Sequence, residues 1–138
     1  MTTHPFRILG VGIDRPHAEV AAFLADPRNF PLWASGLAGG LERLAQAGTA
    51  DEWVADGADG RVTMRFSPPN DFGVADHWVT LPDGTTVYVP LRAVADGDGA
   101  LVTLTLFRLP GMDDARFEAD GQWIERDLAS LKRVLESR

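Results

Sequence analysis

Turn-forming residues recur about every ten to fifteen positions through the middle of the sequence, and this spacing limits the fold more than any other feature. Clusters rich in glycine, proline, asparagine and aspartate lie at residues 47–48, 56–60, 67–71, 82–84 and 96–99. Segments of strand length separate these clusters. The spacing therefore predicts a meander of antiparallel strands.

Apolar and polar side chains alternate between these turns. Val62, Met64 and Phe66 alternate with polar neighbours, and the same pattern recurs over residues 102–106. Period-two alternation is typical of a sheet with one apolar face and one wetted face. Pro90 lacks the N–H group that a sheet ladder needs, so the strand over residues 85–94 is predicted to be an edge strand or to carry a bulge there.

The last segment changes to a helical period. From Phe117 to Leu135, apolar or small residues follow one another at intervals of four and three, which predicts a long amphipathic helix with Asp113 or Asp114 as its N-cap. The apolar stripe of this helix needs a partner, and the apolar face of the sheet is the only surface large enough. Gly121 lies within the stripe, where glycine costs about 1 kcal/mol relative to alanine. Close backbone packing or room for another group would explain it.

The first third of the chain predicts a strand and two short helices. Residues 6–13 have the pattern of a strand, and a helix is predicted to start at residues 14–16, where Pro16 suits a first turn, and to stop at residues 26–27. A second short helical turn is predicted over residues 29–35. With the meander and the long last helix, this order of elements is an α+β arrangement.

Composition and charge bound the kinds of function. The 138 residues include 45% apolar residues and carry a formal net charge of -7. A chain of this length supports one core, so a single domain over residues 1–138 is predicted. The acidic excess and scattered arginines exclude nucleic acid as an expected partner. No membrane span or export signal is visible, and a cytoplasmic location is expected. Cysteine is absent, which removes disulfides and thiol chemistry.

Several stretches carry a family resemblance that spans nearly the whole chain. Residues 13–20 (IDRPHAEV), residues 26–33 (DPRNFPLW) and the helix from Asp114 resemble the START-like (SRPBCC) superfamily. The dipeptide at 76–77 (DH), residues 80–84 (TLPDG) and residues 105–112 (TLFRLPGM) are similar to its bacterial polyketide cyclase/dehydrase-like branch. The resemblance implies a helix-grip fold, a curved antiparallel sheet of about six to seven strands wrapped on a long C-terminal helix, with two short helices after the first strand. It does not select a function, because the superfamily includes lipid carriers, hormone and allergen binders, and aromatase/cyclases.

The resemblance also implies a tapered space between the sheet and the closing helix. Large side chains are available to line it, and their rings suit an apolar or aromatic ligand. The alternative is that the rings simply fill the interior. The predicted ligand-binding residues are Trp33, Trp53, Met64, Phe66, His77, Phe107, Trp123 and Ile124.

His77 is the most informative polar residue. Strand alternation groups it with Ala75 and Val79 and places Asp76 and Trp78 on the other face, so the imidazole is predicted to point inward. There it could hydrogen-bond a ligand or move a proton. The alternative is a core histidine whose ring is satisfied by a neighbouring group.

Tyr88 and Arg92 are the other polar candidates. In an enzyme, His77 would carry the proton, and Tyr88 or Arg92 would stabilise a developing oxyanion. Arg92 follows Pro90, so a bulge could turn its guanidinium inward, and without one it lies in solvent. Tyr88 shares the face of Arg92 if no bulge intervenes.

No metal or cofactor site is predicted. The glycines at residues 10 and 12 lack the third glycine of a dinucleotide loop, and residues 96–99 lack the chelating glutamate of a calcium loop. His4, His17 and His77 fall on a terminus, a helix and a strand, with no spacing that indicates a shared metal.

Three functions stay open. The first is a domain that binds a small hydrophobic or aromatic molecule without a cofactor. The second is a cyclase, dehydratase or hydrolase that acts on carbonyl compounds. The third is an interaction module with a filled core, in which an exposed Trp78 and an edge strand dock another chain or form a homodimer.

Overall fold

The computed structural model describes residues 2–37, 39–44, 52–57 and 59–138. The predicted α+β class, the antiparallel meander and the long C-terminal helix are confirmed within these ranges, whereas the predicted turn at residues 47–48 lies outside them. Two short 3₁₀ helices, Pro27–Leu32 and Ser35–Leu37, follow the first α-helix. The strands and α-helices are β1 (Phe6–Ile13), α1 (His17–Ala25), β2 (Glu42–Arg43), β3 (Glu52–Gly57), β4 (Gly60–Phe66), β5 (His77–Thr80), β6 (Thr86–Val89), β7 (Leu91–Asp96), β8 (Gly99–Phe107) and α2 (Asp114–Glu136).

The strands form two antiparallel sheets. One has the order β1-β8-β7, and the other has the order β2-β3-β4-β5-β6. The described residues thus contain eight strands where six to seven were expected. The difference arises because Pro90 divides one predicted strand into β6 and β7, and because β2 is a pairing of only two residues.

Pro90 marks the corner at which the two sheets meet. On one side of it β6 pairs with β5, and on the other side β7 pairs with β8. The Pro90 carbonyl accepts a 3.0 Å hydrogen bond from the Thr105 N–H, which joins the corner to β8. Residues 73–75 run along the second edge of β7, where the Ala75 N–H donates to the Leu91 carbonyl at 2.8 Å. The strand is therefore broken at Pro90, β6 is an edge of its sheet, and β7 is covered on both sides.

Helix α2 is the last element of the fold and packs against the core. Asp113 is its N-cap, and its carboxylate accepts a 2.8 Å hydrogen bond from the Arg116 N–H. Leu128, Leu131 and Leu135 are fully buried in the core, and each buried leucine contributes about 1.5–3 kcal/mol relative to an exposed one. The predicted apolar stripe is confirmed. No helix among the described ranges is both long and apolar enough to cross a membrane.

Gly121 makes room for an arginine of β1. A Cβ atom at this position would lie 2.2 Å from Nη1 of Arg7, whose guanidinium crosses the helix there. The guanidinium reaches Glu118 at 3.4 Å and Glu125 at 3.3 Å. A crossing side chain, not a close backbone, therefore explains the glycine in the apolar stripe.

Candidate ligand-binding cavity

A cavity of about 630 Å³ lies between the five-stranded sheet, the 3₁₀ helices and α2. Its inner wall is apolar except for one imidazole, and its buried members are Phe30, Trp33, Val62, Met64, His77 and Leu104. The mouth is formed by the half-buried Asp127 and by the exposed members of the lining, which are Gly36, Asp59, Gly60, Pro82, Asp83, Arg116 and Trp123. The volume falls within the range of roughly 300–1,000 Å³ that is usual for small-molecule sites.

Five of the eight predicted ligand-binding residues border this cavity. Trp33 comes from the end of a 3₁₀ helix, Met64 and His77 come from the sheet, and Trp123 and Ile124 come from α2. The tryptophans stand at the wall and leave the space between sheet and helix open. The indole Nε1 of Trp33 is buried and has no hydrogen-bond partner among the described residues.

The other three predicted residues lie outside the cavity lining. Trp53 is buried next to Met64 across the β3–β4 pairing. Phe66 packs against Phe30 and His77, with ring centroids 5.1 and 5.6 Å apart, and these rings separate it from the cavity. Phe107 lies on the outer face, where its ring stacks on Tyr88.

Residues on the inner face near the predicted ones also line the cavity. Val62 lies two residues before Met64, and Val79 lies two residues after His77, so each points to the same face of the sheet as its neighbour. The same period-two pattern could therefore have identified them. Phe30 lies three residues before Trp33 on one 3₁₀ turn, and its spacing is the only signal in the sequence. The acidic and basic groups of the mouth come from separate turns and from α2, so no local pattern joins them.

His77 lies at the inner end of the cavity, where its ring packs in a three-ring cluster with two phenylalanines that also contact each other. The edge of the Phe30 ring meets it at a centroid distance of 5.2 Å, and Phe66 lies at 5.6 Å. The imidazole Nδ1 is 3.2 Å from the Ala75 carbonyl oxygen. Burial lowers the pKa of His77 to about 4, against the opposing effects of that hydrogen bond and of the Asp76 charge. The ring is therefore neutral at pH 7.

We predict that His77 makes the stability of the protein depend on pH between about pH 4 and 6.5. The pKa of His77 is about 4 in the folded chain and ordinarily 6.5, so the unfolded chain binds more protons in this window. Stability is therefore complete above pH 6.5 and falls as the pH drops, by roughly 3 kcal/mol in total from this group. Urea unfolding at several pH values should show a smaller decline in His77→Phe. The exposed control His4→Phe should keep the wild-type slope, and equal slopes in all three proteins would contradict the prediction.

Asp76 lies on the outer face, although it is adjacent to His77, and it holds a cluster that we name the Asp76 clasp: Asp76, Tyr88, Leu91 and Arg92. The Tyr88 hydroxyl donates to Oδ2 at 2.7 Å, the Leu91 N–H donates to Oδ1 at 2.9 Å, and Arg92 Nη2 donates to Oδ2 at 2.9 Å. Burial by itself would raise the pKa of Asp76, but the hydrogen bonds from Arg92, Tyr88 and Leu91 outweigh it and lower that pKa. The clasp holds residues on both sides of the Pro90 corner.

The clasp decides where the two other predicted catalytic groups lie. Burial and the hydrogen bond to Asp76 raise the pKa of Tyr88, and the same carboxylate raises the pKa of Arg92. Neither side chain borders the cavity, because both are bound to Asp76 on the opposite side of the sheet from His77. The structure therefore does not bring Tyr88 and Arg92 together with His77.

Trp78 is less exposed than its position on the outer face suggested. Its ring stacks on Tyr88 at a centroid distance of 5.1 Å. The guanidinium carbon of Arg65 lies 4.6 Å from the centroid of the same indole ring. These two neighbours leave it half-buried. The expectation of a freely exposed indole was wrong, because cross-strand neighbours cover it.

The mouth of the cavity carries mostly negative charge. Asp59, Asp83 and Asp127 border it together with Arg116. Asp127 also ties α2 to the second 3₁₀ helix, because its carboxylate accepts hydrogen bonds from the Ser35 N–H at 3.2 Å and hydroxyl at 2.8 Å. Within the ranges that the structure describes, no three His, Cys, Asp or Glu side chains are grouped to hold a metal ion.

Comparisons of sequence find no relative: no protein-family model and no curated protein matches this chain. Comparisons of structure, in contrast, find solved structures that this chain matches. A START superfamily protein from Mycobacterium smegmatis superposes with a TM-score of 0.74 at 14% identity, over 96% of this chain and 97% of that one. Ara h 8.0201 superposes with a TM-score of 0.71 at 11% identity, over 97% of this chain and 99% of that one.

A further match is the di-domain ARO/CYC protein BexL from the BE-7585A biosynthetic pathway, with a TM-score of 0.69 and 16% identity over 96% of this chain. This chain spans about half of BexL, at 46% of its length, and about half of the similarly matched DynU16, at 47%. These likenesses establish the fold: the chain has the START-like helix-grip fold that its sequence resembles.

Proposed function

We propose that this START-like domain binds a small, uncharged hydrophobic or aromatic molecule in the cavity between its sheet and α2. The observation that carries the proposal is the cavity itself, about 630 Å³ in a chain of 138 residues. Binding of an apolar ligand in a space of this size is favourable, because it removes the apolar wall and the ligand from contact with water. The structural neighbours, which include a START superfamily protein and an ARO/CYC protein, support a ligand of this kind.

The charges around the cavity favour an uncharged ligand. Three carboxylates and one guanidinium border the mouth, so an anionic ligand meets net repulsion on entry. At the inner end, the pKa of about 4 leaves His77 neutral at pH 7, so it offers no charge to an anion. Long-chain carboxylates are therefore poorer candidates than neutral ring compounds.

The enzyme alternative has less support than binding. A cyclase-like reaction needs fixed donors beside the developing oxyanion. Tyr88 and Arg92, the donors considered for that role, are held by Asp76 on the outer face. His77 remains in the cavity, but its low pKa makes it a weak base. An interaction module with a filled core has less support too, because the interior contains the cavity.

The proposal is tested by filling the cavity. In the double variant Val79→Trp/Ile124→Trp, one indole enters from the sheet and one from α2, and both positions border the cavity. We expect the fluorescence rise of the uncharged probe N-phenylnaphthylamine, measured by titration, to show at least a hundredfold weaker affinity than in the wild type, because the probe is excluded by overlap.

A matched control carries the same residue type on the outside. Val94 and Leu101 are exposed partners in the β7–β8 pairing, so Val94→Trp/Leu101→Trp adds two indoles away from the cavity. This control should bind the probe like the wild type, and far-ultraviolet circular dichroism should show that both variants are folded. Unchanged affinity in the folded, cavity-filled variant would overturn the proposal. If the cavity-filled variant loses the probe as expected, native mass spectrometry of protein from its own host identifies the natural ligand.

A further inference from the structure

The structure assigns a hydrogen-bond acceptor to the inner end of the cavity, and we propose that this acceptor, Nε2 of His77, selects a ligand that carries an uncharged phenol-type hydroxyl. This inference rests on the proposed function and adds the chemical class of the ligand to it.

The tautomer of His77 follows from its partner. Nδ1 lies 3.2 Å from the Ala75 carbonyl oxygen, and a carbonyl oxygen only accepts hydrogen bonds, so Nδ1 carries the ring proton. In a neutral ring the second nitrogen, Nε2, then has a lone pair and no proton. His77 is 94% buried, since its exposed fraction is 6%, and Nε2 has no hydrogen-bond partner in the part of the chain that the structure describes.

Nε2 is accessible to a ligand. Among the described residues, the indole nitrogens of Trp33 and Trp53 are the side-chain polar atoms that are both fully enclosed and without a partner, so Nε2, which also lacks a partner, is not fully enclosed. Since His77 is almost fully buried and borders the cavity, we infer that the open space next to Nε2 is the cavity. When an apolar ligand displaces water from the cavity, Nε2 is left without a donor at a cost in free energy, and a donor on the ligand relieves that cost.

The surroundings decide which donor fits. The other buried side chains of the wall are apolar or aromatic, so the rest of the ligand must be apolar, and rings match the rings of Phe30 and Trp33. A ketone, an ether or a carboxylate would place its own lone pairs against that of Nε2. A charged ammonium donor would lose its hydration inside an apolar wall. A phenolic hydroxyl donates a hydrogen bond without charge and keeps a ring next to it.

Three probes that share the naphthalene ring system and differ in one substituent test the inference: naphthalene, 2-naphthol and 2-methoxynaphthalene. In the wild type at pH 7, we expect 2-naphthol to bind about tenfold more tightly than either of the others, measured by isothermal titration calorimetry. In His77→Phe, which keeps a ring but removes the acceptor, the three affinities should agree within about twofold. His4→Phe, at an exposed histidine outside the cavity, should keep the tenfold preference.

A second measurement needs no variant. Long-range proton–nitrogen correlation spectra of the wild type should show His77 as the Nδ1-protonated tautomer, and its Nε2 resonance should move upfield on addition of 2-naphthol and not on addition of 2-methoxynaphthalene. Equal affinities for the three probes, or an Nε2-protonated ring, would overturn the inference while the cavity proposal stands. Absence of binding by all three probes, or equal binding by the cavity-filled variant, would overturn the proposed function itself.

Discussion

Replacement of Asp76 by alanine is expected to lower the free energy of unfolding by about 3–4 kcal/mol, since each hydrogen bond to a charged group contributes about 1.5–3 kcal/mol and a buried unpaired amide costs about 1–3 kcal/mol. The Asp76 carboxylate is 5% exposed and accepts from Tyr88, Leu91 and Arg92. Without it, the buried Leu91 N–H has no acceptor, and both sides of the Pro90 corner lose their common anchor. The Arg92 side chain is 52% exposed, so water solvates its freed charge, which keeps the loss at this level.

Urea unfolding at pH 7, followed by circular dichroism, measures this loss. Asp98→Ala is the matched control, because Asp98 is an exposed aspartate of the β7–β8 turn, and its effect should stay within about 0.5 kcal/mol. Asp76→Asn keeps an oxygen for the Leu91 N–H and removes the charge, so its loss should lie between those of the two alanine variants. A loss for Asp76→Ala as small as that for Asp98→Ala would show that the clasp does not hold the corner.

Replacement of Gly73 by alanine is the second change with a large expected effect, a loss of about 2–5 kcal/mol when left-handed strain of about 1–2 kcal/mol is combined with overpacking of about 1–3 kcal/mol. Gly73 has φ +76°, and a Cβ atom there would lie 2.2 Å from the Ala93 carbonyl oxygen and 3.0 Å from His17 Nε2. The clash is with backbone, so β7 itself must move. That movement would strain the hydrogen bonds from the Ala93 N–H to Gly73 and between His17 and Ala93.

Gly84→Ala separates the two causes. Gly84 has φ +90°, but a Cβ atom there would meet nothing within 4 Å, so only backbone strain is added. In thermal unfolding, Tm should fall by roughly 4 °C for each kcal/mol lost, and the Gly73 variant should melt well below the Gly84 variant. Equal melting temperatures would show that the contact with Ala93 is relieved without cost.

The sequence predicted the elements with strong periodicity. Strand β1 has the predicted bounds, and the four-three spacing predicted both α2 and its buried leucines. Alternation also predicted that His77 and Asp76 occupy opposite faces of the sheet. These features are local, so neighbouring residues in the chain specify them.

Features that depend on contacts between distant segments could not be predicted. Nothing near Asp76 in sequence indicates that Tyr88, Leu91 and Arg92 would bind one carboxylate, since that depends on how the chain turns at Pro90. Phe107 is the last residue of β8, where alternation with the inward Leu104 and Leu106 places it on the outer face, but its contact with Tyr88 comes from another strand and has no local signal. The mouth is likewise assembled from separate turns.

The closing helix divides into two parts with separate duties. Trp123 and Ile124 in its first part border the cavity, where Ile124 also packs against the edge of the core, whereas Leu131 and Leu135 in its last part are fully buried core residues. On the proposed function, we expect a substitution in the first part to alter which guest is accommodated without removing interior leucine contacts. Selectivity and stability can therefore change independently along this one helix, so that evolution can exchange one guest for another while the scaffold stays intact.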